Sequence, residues 1–107
     1  MRFEIVLAPG AAQAYWVLPA RRRAELRDAL ETHLCDEPRK VSRSRIKRLR
    51  GMRQPQFRLR VGDLRVFYDV TDEAVEVLAI VSKAQAQAWL AEQGTTDAQG
   101  GACEGEG

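Results

Sequence analysis

The chain has 107 residues, 45% hydrophobic and 30% charged, a composition that suits one small domain with a single modest core. No apolar run approaches the ~20 residues that cross a bilayer, and Met1-Arg2-Phe3-Glu4 enters a strand pattern without a secretory h-region, so a cytoplasmic protein without membrane contact is expected. One histidine, His33, and two cysteines, Cys35 and Cys103, are too few for a metal site, so no metal or other cofactor is expected and both thiols are read as free.

From residue 2 to 8, Phe3, Ile5 and Leu7 alternate with Arg2, Glu4 and Val6, which predicts a first strand. Pro9-Gly10 breaks it, and Ala11, Ala14, Tyr15 and Leu18 then fall at helical spacing, with Trp16 read as packing under the helices. Pro19 separates a second helix, from Ala20 to about Leu34. Its inward stripe is Leu26, Leu30, His33 and Leu34, while Arg21, Arg22, Arg23, Arg27 and Glu31 stay in water. The two helices are expected to form a hairpin across one face of a sheet.

Asp36-Glu37-Pro38 ends the second helix, and residues 39 to 56 read as a basic loop with a short strand or turn near Ile46 to Leu49. Strands are predicted at about 56 to 61, 64 to 70 and 74 to 81. Period-2 alternation puts Phe57, Leu59 and Val61 on one face and Arg58 and Arg60 on the other. Gly62-Asp63 supplies a tight turn, after which Leu64, Val66, Tyr68 and Val70 alternate with Arg65, Phe67 and Asp69. Tyr68 is read as a core residue, Asp63 as a turn residue, and Asp69 as placed to pair with an arginine on its own face.

Ser82-Lys83-Ala84-Gln85 matches a capping box, which predicts a helix from Lys83 to about Gln93 with Ala86, Trp89 and Leu90 as its apolar contact. Gly94 stops it. The reading is therefore an α+β domain over residues 1–93, with an N-terminal strand, a two-helix hairpin, a three-stranded antiparallel meander and a C-terminal helix. The Gly-rich residues 94–107 are expected to be a disordered tail.

Charge is segregated along this chain. Between Arg39 and Arg65 stand eleven basic residues and one acid, Asp63, a local charge of +10; the remainder carries −8. A strongly positive surface on an acidic body is the footprint of a nucleic-acid binder, or of a dock for an acidic protein partner.

The run Arg48-Leu49-Arg50-Gly51, followed by Phe57-Arg58-Leu59-Arg60-Val61-Gly62-Asp63-Leu64-Arg65-Val66-Phe67-Tyr68-Asp69-Val70, resembles the signature of the RelE/ParE superfamily of bacterial toxins. The likeness extends over roughly residues 1 to 90. It implies the toxin of a type II toxin–antitoxin pair. The leading expectation is a RelE-like endoribonuclease that cuts messenger RNA on the ribosome, inhibits translation and arrests growth. The alternatives are a ParE-like poison of DNA gyrase and a degenerate toxin that only binds its antitoxin.

By motif, Arg58 and Arg60 match the paired basic residues of the family's central strand, and Arg65 matches the arginine after the turn. With Lys83, the one plausible acid/base group in the C-terminal part, they make up the implied catalytic set. Arginine clamps phosphate bidentately, but its pKa above ~12 makes it a poor base. Arg45, Lys47, Arg48 and Arg50 are implied RNA-phosphate or antitoxin contacts, and Trp89, near the family's usual tyrosine, is a candidate to stack on a base. The implied partners are a cognate antitoxin, acidic and helical, that covers the basic groove and displaces or blocks the C-terminal helix, and the ribosome with its messenger RNA, or gyrase.

Overall fold

Apolar residues alternate with arginines through the middle of the chain, and the computed structural model, which describes residues 2–96, makes this stretch the centre of a sheet. The elements in order are β1 (Glu4–Leu7), α1 (Pro9–Val17), α2 (Ala20–Leu34), β2 (Ile46–Arg48), β3 (Met52–Gln54) and β4 (Phe57–Val61). They are followed by β5 (Leu64–Val70), β6 (Ala74–Ser82), α3 (Lys83–Gln93) and β7 (Thr95–Thr96). The main sheet has five strands in the order β1-β6-β5-β4-β2. Its pairs are antiparallel except β1 with β6, which run parallel with Glu4 opposite Ala74.

The expected meander of β4, β5 and β6 is present. β4 and β5 turn at Gly62-Asp63, where Gly62 has φ +60°, the left-handed backbone that a two-residue hairpin loop assigns to glycine. Between β5 and β6 the register slips at Phe67/Tyr68, so Tyr68 faces Val77 and Phe67 faces Ala79, with Leu78 as the extra residue of a bulge.

One face of the sheet takes the helical hairpin. Ala11, Leu26, Leu30 and Leu34 meet Ile46, Phe57, Leu59, Val66, Tyr68, Val75 and Val77 in a buried cluster. Each Leu or Val sealed there contributes about 1.5–3 kcal/mol relative to exposure. Tyr68 stacks on Phe57, with ring centroids 5.4 Å apart, and its hydroxyl donates to the Pro38 carbonyl at 2.7 Å. α1 begins with Pro at its first position and no side-chain cap; Arg23 closes its other end, donating to the carbonyls of Leu18 at 2.6 Å and Trp16 at 3.3 Å. Trp16 does not pack under the hairpin. Its side chain stands 66% exposed beside α1's carboxyl end, edge-on to Tyr15 and with the Arg23 guanidinium over its ring.

The other face takes α3, which starts where predicted, Ser82 Oγ accepting the Gln85 N–H at 3.3 Å. Its aromatic contact with the sheet is a stack of Trp89 on Phe67, ring centroids 5.0 Å apart and 6° from parallel.

The basic segment holds more strand than its sequence announces. β2 pairs with β4 as an edge strand, and β3 pairs antiparallel with β7 in a separate two-stranded sheet. Thr95 and Thr96, which fall in the expected tail, supply β7; residues 97–107, including Cys103, lie outside the described residues. Gly94 ends α3 for a reason of space. Its φ of −74° needs no glycine, but a Cβ there would overlap Met52 Cε and the Leu90 carbonyl oxygen. Cys35 is a free, buried thiol. No described helix is long and apolar enough to cross a membrane, and no group of three or more potential metal ligands occurs among the described residues.

Candidate nucleic-acid interface

Strand pairing brings the arginines together row by row. On the face turned away from the helical hairpin, Lys47 stands opposite Arg58 and Arg58 opposite Phe67, while Arg60 stands opposite Arg65. Cross-strand neighbours lie about 5 Å apart at Cβ, so like charges there repel and the arrangement costs stability. Arg58, Arg60 and Arg65 thus share one surface, as their alternation in the sequence predicts.

Each guanidinium is held differently. Arg65 is 7% exposed, and its Nη1 donates to the carbonyls of Gly62 at 2.9 Å and Leu64 at 3.0 Å, which fixes it over the hairpin turn. Arg58 is half-buried, and its Nε, shut off from solvent, has no hydrogen-bond partner. Burial first, then the charges of Arg65 and Arg60, push the Arg58 pKa below the usual guanidinium range. Arg60 is exposed. An anion set on this surface would relieve the repulsion.

Lys83 sits at the rim. Its backbone N–H donates to the Asp63 carbonyl at 2.7 Å, which pins the start of α3 to the hairpin tip and leaves the lysine side chain exposed. Asp63 is also held from the other side of the sheet, its Oδ1 accepting from Arg22 Nη2 at 2.7 Å. That hydrogen bond and charge hold the Asp63 carboxyl below the usual carboxylate range.

The remaining candidates divide. Lys47 shares the cationic face. Arg48 does not, because the next residue on a strand points the other way; it stands opposite Phe57 with its guanidinium 5.1 Å from that ring's centroid. Arg50 is exposed between β2 and β3. Arg45 lies at the start of β2, where its carbonyl accepts the Arg60 N–H at 2.8 Å. Trp89 already stacks on Phe67, so one face of its ring is taken within the chain. Asp69 pairs with no arginine: Oδ1 accepts the Gln56 N–H at 2.7 Å and Oδ2 the Gln54 side-chain amide at 2.8 Å, fastening the basic segment to β5.

Sequence reasoning passed over Phe67. A bulky apolar residue alternating with Arg65 and Asp69 signals that something covers the arginine face, and the structure supplies α3. The described histidine and tyrosines lie elsewhere: His33 on α2, Tyr15 on α1, and Tyr68 in the core with its phenol pushed up by burial. The cationic face is therefore equipped to grip and neutralise phosphate, with Lys83 at its rim as the added amine.

A family profile described as "ParE toxin of type II toxin-antitoxin system, parDE" matches residues 12–87. No curated protein matches the chain. Among solved structures, the toxin–antitoxin complex RelBE2 from Mycobacterium tuberculosis is similar, at 24% identity and a TM-score of 0.60, over 77% of this chain and 99% of that one. An archaeal RelE–RelB complex from Pyrococcus horikoshii OT3 also aligns, at 24% identity and a TM-score of 0.48, over 79% of this chain and 99% of that one. The first of these likenesses supports the fold. The profile, spanning the helical hairpin, the arginine-bearing strands and the start of α3, supports the family, and the chain belongs to the ParE toxins of type II toxin–antitoxin systems, within the RelE/ParE superfamily.

Proposed function

We propose that this toxin arrests growth by holding an anionic target on its cationic sheet face without cutting it, and that its target is DNA gyrase engaged with DNA. The observation that carries the reading is the make-up of that face: Arg58, Arg60 and Arg65 converge there, while the described histidine and tyrosines lie elsewhere. Transesterification of RNA needs a base for the 2′-OH and an acid for the leaving oxygen, and guanidinium groups serve neither role well. They serve electrostatic capture, and the ParE family match favours gyrase over the ribosome. A protein antitoxin neutralises the toxin in this reading, consistent with its family and with the RelBE2 complex whose toxin fold it resembles.

Ribosome-dependent RNA cleavage is the second reading, favoured by Lys83, an exposed amine at the rim. Induction of the toxin in cells separates the two. The expected result is growth arrest with a DNA-damage response, intact messenger RNA, and trapped cleaved DNA when purified toxin meets gyrase. Transcripts cut at codon boundaries, with gyrase unaffected, would sink the proposal. In either case Arg58→Ala with Arg60→Ala is expected to abolish arrest while the protein still folds.

A further inference from the structure

Two neighbouring clefts at the β2 edge of the sheet share Ser44 and Arg45. One, of about 280 Å³, also holds Arg60 and Gly62, at the margin of the cationic face. The other, of about 410 Å³, opens at the carboxyl end of α2, on the opposite side of the sheet, and takes in His33 and Lys40. The carboxylates lining this second cleft are already engaged: Glu37 Oε1 lies 3.6 Å from Lys40 Nζ, and Asp36 Oδ1 lies 3.9 Å from Arg2 Nη1. Arg45 has no carboxylate partner among the described residues. Burial and the Arg45 charge, partly offset by Asp28, lower the His33 pKa, and an imidazole in either protonation state offers at least one N–H.

We infer that the two clefts form one track for the sugar–phosphate backbone of a single-stranded polynucleotide, leaving the cationic face at Arg60 and bending round the β2 edge through Ser44 and Arg45 to His33. The inference rests on the part of the proposed function in which the cationic face meets nucleic-acid phosphate, and adds a second contact region beyond it. The path turns from one face of the sheet to the other around a strand only three residues long. A duplex, stiff over ~150 base pairs, cannot follow so tight a bend, whereas a single strand can. Guanidinium, hydroxyl and imidazole N–H groups all present donors to phosphate oxygens, and none of them reads a base.

The test measures binding of fluorescein-labelled oligothymidylate and oligouridylate, about 4 or about 12 nucleotides long, to the full chain across a salt series. Arg45→Ala, with an exposed side chain, is expected to weaken the longer oligomer about fivefold, the size of one solvent-exposed ion pair. It should lower the salt slope by about 0.7 and leave the shorter oligomer unchanged. Arg45→Lys restores most of the loss, and His33→Ala repeats it in part. Arg60→Ala weakens both lengths. If Arg60→Ala weakens both lengths and Arg45→Ala neither, the track is wrong and the cationic-face reading stands. If a duplex of equal length binds as tightly as the single strand and shares the Arg45 dependence, the bent path is overturned. Failure of the wild-type chain to bind any oligomer overturns the track together with the reading beneath it. Preference for the thymidylate or the uridylate series tells DNA from RNA, and either supports the track.

Discussion

On the hairpin side of the sheet, leucines of α2 and apolar strand residues close into a core whose members Leu26, Leu34, Leu59, Val66 and Tyr68 are 0% exposed. On the α3 side, a helix with no buried residue of its own leans on one aromatic stack beside three mutually repelling guanidiniums. Cohesion is thus concentrated on one side of the sheet, and the other side can carry an arrangement that costs stability because the first holds the strands in place. Functional surfaces are commonly drawn from the less stable part of a fold in this way.

The largest test of the contrast is Leu26→Ala, which opens a cavity in the hairpin-side core and is expected to cost about 3 kcal/mol in denaturant unfolding. A loss below about 1 kcal/mol would mean that the core is not where stability lies. Next comes Trp89→Ala, which removes the α3 stack and should cost about 1 kcal/mol, seen as faster amide exchange across Lys83–Gln93 while the central strands stay protected. Uniform loss of protection would show instead that both sides share one cooperative unit. Arg58→Met removes a buried N–H without a partner and one of the repelling charges. It should leave stability unchanged or raise it by up to about 1 kcal/mol while oligonucleotide binding falls. A marked destabilisation would indicate that Arg58 serves the fold.

The smallest effect concerns Asp63, which Arg22 ties to the hairpin side. Because the folded pKa is depressed, the pair's contribution is present above the unfolded carboxylate pKa and fades as pH falls through the lower folded one. The group is exposed, so the change in stability is slight. The sharper readout is an NMR titration of the carboxyl, which in Arg22→Ala should return toward the usual carboxylate value. No change there would mean that the 2.7 Å contact is not kept in solution.

Long periodic elements were legible in the sequence for a physical reason. The leucine stripe of α2, the alternation of β4 and β5 and the Ser82 cap each repeat or terminate a local pattern. β3 and β7 were not legible, because three residues and two residues carry no period and their pairing partners lie some forty positions apart. Within the site, Arg58, Arg60 and Arg65 could be placed on one face from parity alone. Arg48 could not, because the phase of β2 depends on its pairing with β4. Trp89 is legible as part of α3's apolar contact as well as a candidate to stack on a base, but its partner in that contact, Phe67, is chosen by the sheet. Asp69 reads as a partner for an arginine on its own face, but the backbone N–H of Gln56 claims it.

The lone parallel pairing sets an order in time. β1 must wait for β6, whose matching stretch runs from Ala74 to Val77. During synthesis at about 5–20 residues per second, Glu4 leaves the ribosome roughly 4–14 seconds before the partner it needs. Until then the outermost strand has no neighbour in the sheet, and that edge stays open. A nascent copy of this toxin consequently passes several seconds with that edge of its sheet incomplete.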